Sequence, residues 1–214
     1  MKYVFLDVET TGLSKINDRI IEMSAFEVID NKITGAFLNF LVNPEINKPL
    51  TPENIKIHGI KDDMLRNATP LKSRLKEVMD FFSKTDILIA HNAKFDTEFL
   101  LAGLNRCDSS INLSDIAKNV LCTAKLARLV VGRPNRGPQH SLNSLCHRFN
   151  IDNKLRKEGV HSGLLDAILA YKVFKKLETC ALQMNINLQS AFLELNLNKS
   201  SELNRSQEIK QITL

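Results

Sequence analysis

The segment Tyr-Val-Phe-Leu at positions 3–6, closed by Asp7-Val8-Glu9 and Thr10-Thr11-Gly12, constrains the fold more than any other feature. Its apolar residues are consecutive, not alternating. A strand of that kind needs apolar partners on both faces. It therefore belongs near the middle of a sheet with layers on both sides, an α/β arrangement. A second short apolar run, Asp86 to Ala90, reads the same way. Arg19 to Ile29 and Lys32 to Val42 are further strand candidates, with Asp30-Asn31 as a hairpin turn between them. Antiparallel strands come first and strands then alternate with helices. The expectation is a mixed central sheet flanked by helices.

Helical spacing of apolar residues predicts helices over Leu71–Phe82, about Lys94–Leu104, Cys122–Val131, Ser141–Phe149 and about Gly163–Leu182. Pro44, Pro49 and Pro52 punctuate a loop-rich stretch from 44 to 69. At 214 residues the chain suits one domain, over 1–182, with a short and weakly ordered tail over 183–214. No apolar run approaches the ~18 residues of a membrane span. Asp7 and Glu9 stand where a signal peptide would need its apolar stretch, so a cytoplasmic protein without a membrane partner is expected. Four cysteines, none in a Cys-x-x-Cys, suggest reduced core residues and no zinc or redox pair.

The acids carry the chemical signal. Side chains alternate along a strand, so Asp7 and Glu9 project from one face, one pleat apart. They sit at the carboxyl end of a central strand, where α/β sheets open their ligand crevice. Held together they repel unless a cation lies between them. Solvated acids at a strand end are the other reading. Asp96 follows the second apolar run and a short turn, in the first turn of a helix. It could be a helix-dipole acid or could repeat the strand-then-acid placement of the first site. Ser162 reads as a helix N-cap, which puts Asp166 on the second turn and His161 in the preceding loop. A surface or packing role for His161 is the alternative.

Hard carboxylate oxygens suit Mg²⁺ or Mn²⁺ better than Zn²⁺. Four acids and a His can compose a hydrolase in which two cations ~3.5–4 Å apart clamp the attacking and leaving oxygens of a phosphodiester. The net charge is +5. Nine Lys or Arg from Lys118 to Lys157 face one acid, Asp152, a distribution that suits a polyanion or a solvated surface.

Three stretches, FLDVETTGL (5–13), HNAKFD (91–96) and HSGLLDA (161–167), resemble in order and spacing the motifs of the DEDDh 3′→5′ exonucleases. Within that family DVETTGL, TPENIKIHGI (51–60) and HSLNSLCHRFNIDNKLR (140–156) are similar to the proofreading epsilon subunits of bacterial DNA polymerase III. The resemblance covers about residues 1–180. It implies a ribonuclease H-like fold and hydrolysis of DNA from its 3′ end to nucleoside 5′-monophosphates. It implies Asp7, Glu9 and Asp166 as direct ligands of two divalent cations, also touching substrate, and Asp96 as the fourth acid. His161 would be the general base. Glu53 and His58 would contact the terminal nucleotide, and His91 and Asn92 would line the same cleft.

The resemblance further implies single-stranded or mispaired 3′ ends as substrate and the catalytic subunit of a replicative polymerase as partner. Two features depart from it. Four residues separate Arg156 from His161, slightly more than the family pattern, and the tail is unlike a polymerase-binding segment. Residues 183–188, QMNINL, loosely resemble a sliding-clamp peptide. Competing readings are a stand-alone repair or RNA exonuclease and, in another class, a non-catalytic binding subunit. The complete set of four acids and a His weighs against the last.

Overall fold

The computed structural model describes residues 1–132, 140–154 and 162–193. Among them a six-stranded mixed sheet is flanked by helices. Strand β1 (Lys2–Thr10) pairs antiparallel with β2 (Ile20–Ile29), which pairs antiparallel with β3 (Lys32–Asn43). On its other side β1 pairs parallel with β5 (Ile87–Ala90), and β5 with β6 (Asn119–Cys122). A two-residue β4 (Thr69–Pro70) extends the β3 edge, giving the order β4-β3-β2-β1-β5-β6. The β2–β3 turn lies at Asp30 and Asn31, with φ of 48° and 65°. Two positive φ values suit the right-handed twist of a tight hairpin.

The two faces of β1 enter different cores, as its unbroken apolar run requires. Val4, Leu6 and Val8 pack with Phe82 of α3 (Leu75–Phe82) and with Phe99, Leu100 and Leu104 of α4 (Ala93–Cys107). Phe5 packs on the other face with Leu126 of α6 (Thr123–Val130), Leu145 of α7 (Leu142–Arg148) and Val173, Phe174 and Leu177 of α8 (Gly163–Gln183). Phe5 stacks on Phe26 at 5.2 Å and meets Tyr171 and Phe174 edge-on at 5.1 and 5.8 Å. Removing such a ring typically costs about 3–5 kcal/mol.

Three expectations are corrected. The stretch 44–69 contains α1 (Pro52–His58) and α2 (Asp62–Arg66), too short to show a helical period. The helix expected from Leu71 begins as a 3₁₀ turn, Leu71–Arg74, before α3. The helix expected from Cys122 begins at Thr123, because Asn119–Cys122 pairs with β5 as an edge strand. A one-turn helix, α5 (Leu113–Ile116), precedes it.

The chain does not leave the fold where α8 ends. Leu188–Ala191 forms a 3₁₀ turn, Leu193 N–H donates to Val120 O at 2.8 Å and Phe192 bridges Leu121. Ile186, Leu188 and Phe192 pack against the α8-side core. Residues 194–214 of the expected tail lie outside the described residues. No helix among the described residues is long and apolar enough to cross a membrane.

Candidate active site

The sheet itself opens the cleft. Strand β1 stays paired with β2 as far as Thr10, but β5 accompanies it only to Phe5↔Ile89. The edge of residues 6–10 is thus open on one side. Asp96, on the first turn of α4, enters through that opening and accepts the Val8 N–H at 3.3 Å. Asp7 and Glu9 leave β1 on the α8 side, one pleat apart as strand alternation requires. Asp166, on the first turn of α8 and not the second as expected from its Ser162 cap, reaches the same cleft. The sequence-predicted acids therefore meet from three elements.

The cleft, of about 430 Å³, is walled by Gly12, Leu13, Asn54, Ile57, His58, His91, Asn92, Phe95, Ser141 and Leu142. Of the remaining candidates, His58, His91 and Asn92 line it, whereas Glu53 is exposed in the first turn of α1 and outside the lining. His161 lies outside the described residues, as do Arg133, Arg136, Arg156 and Lys157 of the basic stretch. Two basic side chains of that stretch serve the fold. Lys118 pairs with Asp86, and Lys125 donates to Phe192 O.

Helix α1 is placed over the cleft by signals that the sequence carries. Thr51 caps its first turn by accepting from Asn54 N–H, Pro52 follows, and Gly59 ends it at φ 71°. Asn54 Nδ2 donates to Thr11 O at 2.6 Å, tying α1 to the end of β1. His58 Nδ1 accepts the Ile60 N–H at 3.0 Å, which leaves the ring proton of neutral His58 on Nε2. His91 is fixed from behind, its Nδ1 3.0 Å from the buried Thr123 hydroxyl. That hydroxyl also lies 3.4 Å from Ala90 O. The tautomer with Nδ1–H satisfies both contacts.

The electrostatics are those of crowded acids. Burial pushes Asp7 well above the ordinary carboxylate range, and the charges of Asp96, Glu9, Asp166 and Glu22 push it further. Burial raises Asp96 to about 7; the Val8 and Asp96 backbone N–H groups oppose this and Asp166 adds to it. Asp96 and Asp166 are only 4% and 5% exposed. No Lys or Arg stands among the described residues that line the cleft.

Protons or divalent cations can compensate such a site, and hard oxygen donors match the latter. The donor chemistry fits. The described side chains do not, however, close a cage: no three His, Cys, Asp or Glu among them converge as a ready-made metal site.

Sequence reasoning missed Glu22. It sits opposite Glu9 in the β1–β2 register and so shares its face. Burial raises its pKa; the Gly163 N–H opposes this and Asp166 adds to it. The visible hint was Glu22 and Ser24, polar at alternating positions among Ile21, Met23 and Ala25, and it did not tell which residues their face would meet.

The sequence profile of the Exonuclease family matches residues 4–174. DNA polymerase III subunit epsilon of Rickettsia conorii is 34% identical over 181 residues, covering 83% of this chain and 74% of that protein. The epsilon subunit of Rickettsia felis is 30% identical over 218 residues, covering 100% and 90%. Among solved structures, zinc-bound Escherichia coli exonuclease I with single-stranded DNA superimposes with a TM-score of 0.73 at 16% identity. The match covers 86% of this chain and 42% of that one. The nuclease domain of 3′hExo, a DEDDh family member bound to rAMP, gives 0.62 at 20% identity, covering 86% and 92%. These structures share the mixed-sheet, ribonuclease H-like fold. The chain belongs to the exonuclease family and is related to the epsilon subunits of DNA polymerase III.

Proposed function

We propose that this exonuclease removes nucleoside 5′-monophosphates from single-stranded or mispaired 3′ ends of DNA, as the proofreading subunit of a replicative polymerase in the cytoplasm. The observation that carries the reading is the meeting of Asp7, Glu9, Asp96 and Asp166 in one cleft without a lining Lys or Arg among the described residues. Two divalent cations, Mg²⁺ or Mn²⁺, would be held by Asp7, Glu9 and Asp166, with Asp96 as the fourth acid. When bound they supply Lewis-acid stabilisation of the attacking and leaving oxygens.

This chain's own residues have distinct tasks. Asp96 takes the Val8 amide and holds the open edge of β1 in place. His161 accepts the proton of the attacking water. Glu53 and His58 contact the terminal nucleotide, Glu53 from the exposed side of α1 and His58 from the cleft wall, and His91 and Asn92 line the same cleft. Leu13 and Ile57, 87% and 56% exposed at the mouth, give the terminal base an apolar seat.

The named relatives, subunits of DNA polymerase III, support a polymerase catalytic subunit as partner. A clamp contact through 183–188 would have to release Ile186 and Leu188, which pack against the domain. The test is degradation of 3′-labelled single-stranded DNA and matched RNA with Mg²⁺, Mn²⁺ or EDTA, alongside co-purification with a polymerase subunit. Undiminished hydrolysis in EDTA would overturn the two-cation assignment. Faster turnover of RNA would move the substrate to the RNA alternative.

A further inference from the structure

Helix α8 carries Asp166, and its first residue is held by a different strand. Glu22 Oε2 accepts the Gly163 N–H at 3.1 Å, while the Ser162 hydroxyl accepts the Leu165 N–H at 3.4 Å. Two of the amide donors that a helix start leaves without intrahelical partners are thereby satisfied, one by its own cap and one from β2. The seat is tight. A Cβ on Gly163 would lie 2.7 Å from Ser24 Oγ, 3.1 Å from Ser24 Cβ and 3.3 Å from Glu22 Oε2. Ser24 cannot easily yield, since it is fully buried and bonded to Asn39 Oδ1 at 2.9 Å.

Register gives this seat its consequence. Glu22 lies opposite Glu9 and Ser24 opposite Asp7. The two β2 residues that receive the start of α8 are thus the cross-strand neighbours of the two acids on β1. Asp166 N–H in turn bonds Ser162 O at 3.0 Å, so the helical turn that presents Asp166 grows directly from the seated residues. In the sequence His161 stands two residues before Gly163.

We infer that Glu22 is a positioning residue for hydrolysis: by accepting the Gly163 N–H it fixes the start of α8, and with it Asp166, relative to Asp7 and Glu9. The inference rests on the exonuclease reading of the cleft. Glu22 acts through its acceptor oxygen, so a carboxamide serves in its place. Gly163 acts by lacking a side chain, although Ala is intrinsically the better helix former.

Turnover and hydrogen exchange of Glu22→Gln, Glu22→Leu, Gly163→Ala and the double variant Glu22→Leu/Gly163→Ala test this, with melting curves to confirm folding. Glu22→Leu and Gly163→Ala should each lower kcat by about tenfold or more with KM within about threefold, the pattern of misplaced reacting groups. Glu22→Gln should keep kcat within about threefold of wild type. The double variant should be little worse than either single one, because both break one seat. Amides 163–166 should exchange faster in Glu22→Leu than in Glu22→Gln.

Wild-type kcat in Glu22→Leu, a Glu22→Gln variant as impaired as Glu22→Leu, or losses that simply multiply in the double variant would each overturn the assignment. A wild-type chain without 3′→5′ hydrolysis would sink the exonuclease reading instead. The exchange comparison would then decide the anchoring alone, with equal rates in the Leu and Gln variants overturning it.

Discussion

Asp96 Oδ1 takes the Val8 N–H at 3.3 Å, joining the second acidic motif to the first across 88 residues of chain. The bond exists because β5 stops pairing with β1 at Phe5 and leaves the next amides without a strand partner on that side. A carboxylate fills the position, and its burial is what raises its pKa to about 7.

That shift sets the pH dependence of the metal-free protein. An Asp of ordinary pKa, 3.8, loses its proton in the unfolded chain well before Asp96 does in the folded one. The folded state binds more protons between these values, so stability falls as pH rises from about 4 to 7 and then levels. Asp7, raised by the same burial, acts in the same direction. Melting curves in EDTA should show a lower Tm at pH 7.5 than at pH 5.5. For a chain of this size about 1 kcal/mol corresponds to roughly 2–4 °C. Asp96→Asn should flatten the slope. A variant with the wild-type slope would show that the buried acid contributes nothing to it.

Asp7→Ala separates activity from stability. Asp7 feels Asp96, Glu9, Asp166 and Glu22 together, so its removal relieves repulsion and the cost of burying its charge. The metal-free variant should melt at or above the wild-type temperature. With Asp7 as the proposed shared ligand, turnover should drop by several orders of magnitude, because more than a simple binding contact is lost. Retention of more than about a tenth of wild-type kcat would remove Asp7 from the ligand set.

The parts of this site that were legible are those written in local periodicity. Asp7 and Glu9 share a face because strands alternate, and Asp96 and Asp166 follow from apolar runs and an N-cap serine. Glu22 was not legible, since only the Glu9↔Glu22 register brings it to the acids. Thr123 stands behind His91 through β6, four residues long and without a visible period. Helix α1 was written more plainly, in Thr51, Pro52 and Gly59, but its seven residues hold too few apolar positions to outweigh three prolines in a loop reading.

His161 is tested by kinetics. If it takes the proton of the attacking water, His161→Ala should lower kcat by ~10²–10⁴ and leave KM and cation affinity nearly unchanged. The wild-type rate should show an acid limb between about pH 5.5 and 8 as the imidazole protonates, and the variant should lack it. An unchanged limb in the variant would assign water activation to another group.

Asn54, Ile57 and His58 form the wall that α1 presents to the cleft. Asp18, 5% exposed, accepts the Ser14 N–H at 2.9 Å, the Thr11 hydroxyl at 3.1 Å and Lys48 Nζ at 2.6 Å. Thr11 O holds Asn54 Nδ2, so Asp18 braces the loop to which α1 is tied. Gly12 leaves room for it, because a Cβ there would lie 2.5 Å from its Oδ2. Asp18→Ala strands these donors and should cost about 1–3 kcal/mol, seen as a lower Tm. The Lys48 partner is half exposed, so the ion pair itself supplies little of that. Burial alone would raise the pKa of Asp18, but Lys48, Ser14 and Thr11 together hold it below the ordinary value. Its contribution is therefore present above about pH 4 and fades as pH falls below that, opposite in sign to Asp96. In the proposed binding mode helix α1 meets the substrate, and it carries none of the four acids, so KM for single-stranded DNA should rise severalfold with kcat nearly constant. A fall in kcat at constant KM would mean that the brace acts on the acids and not on the substrate wall.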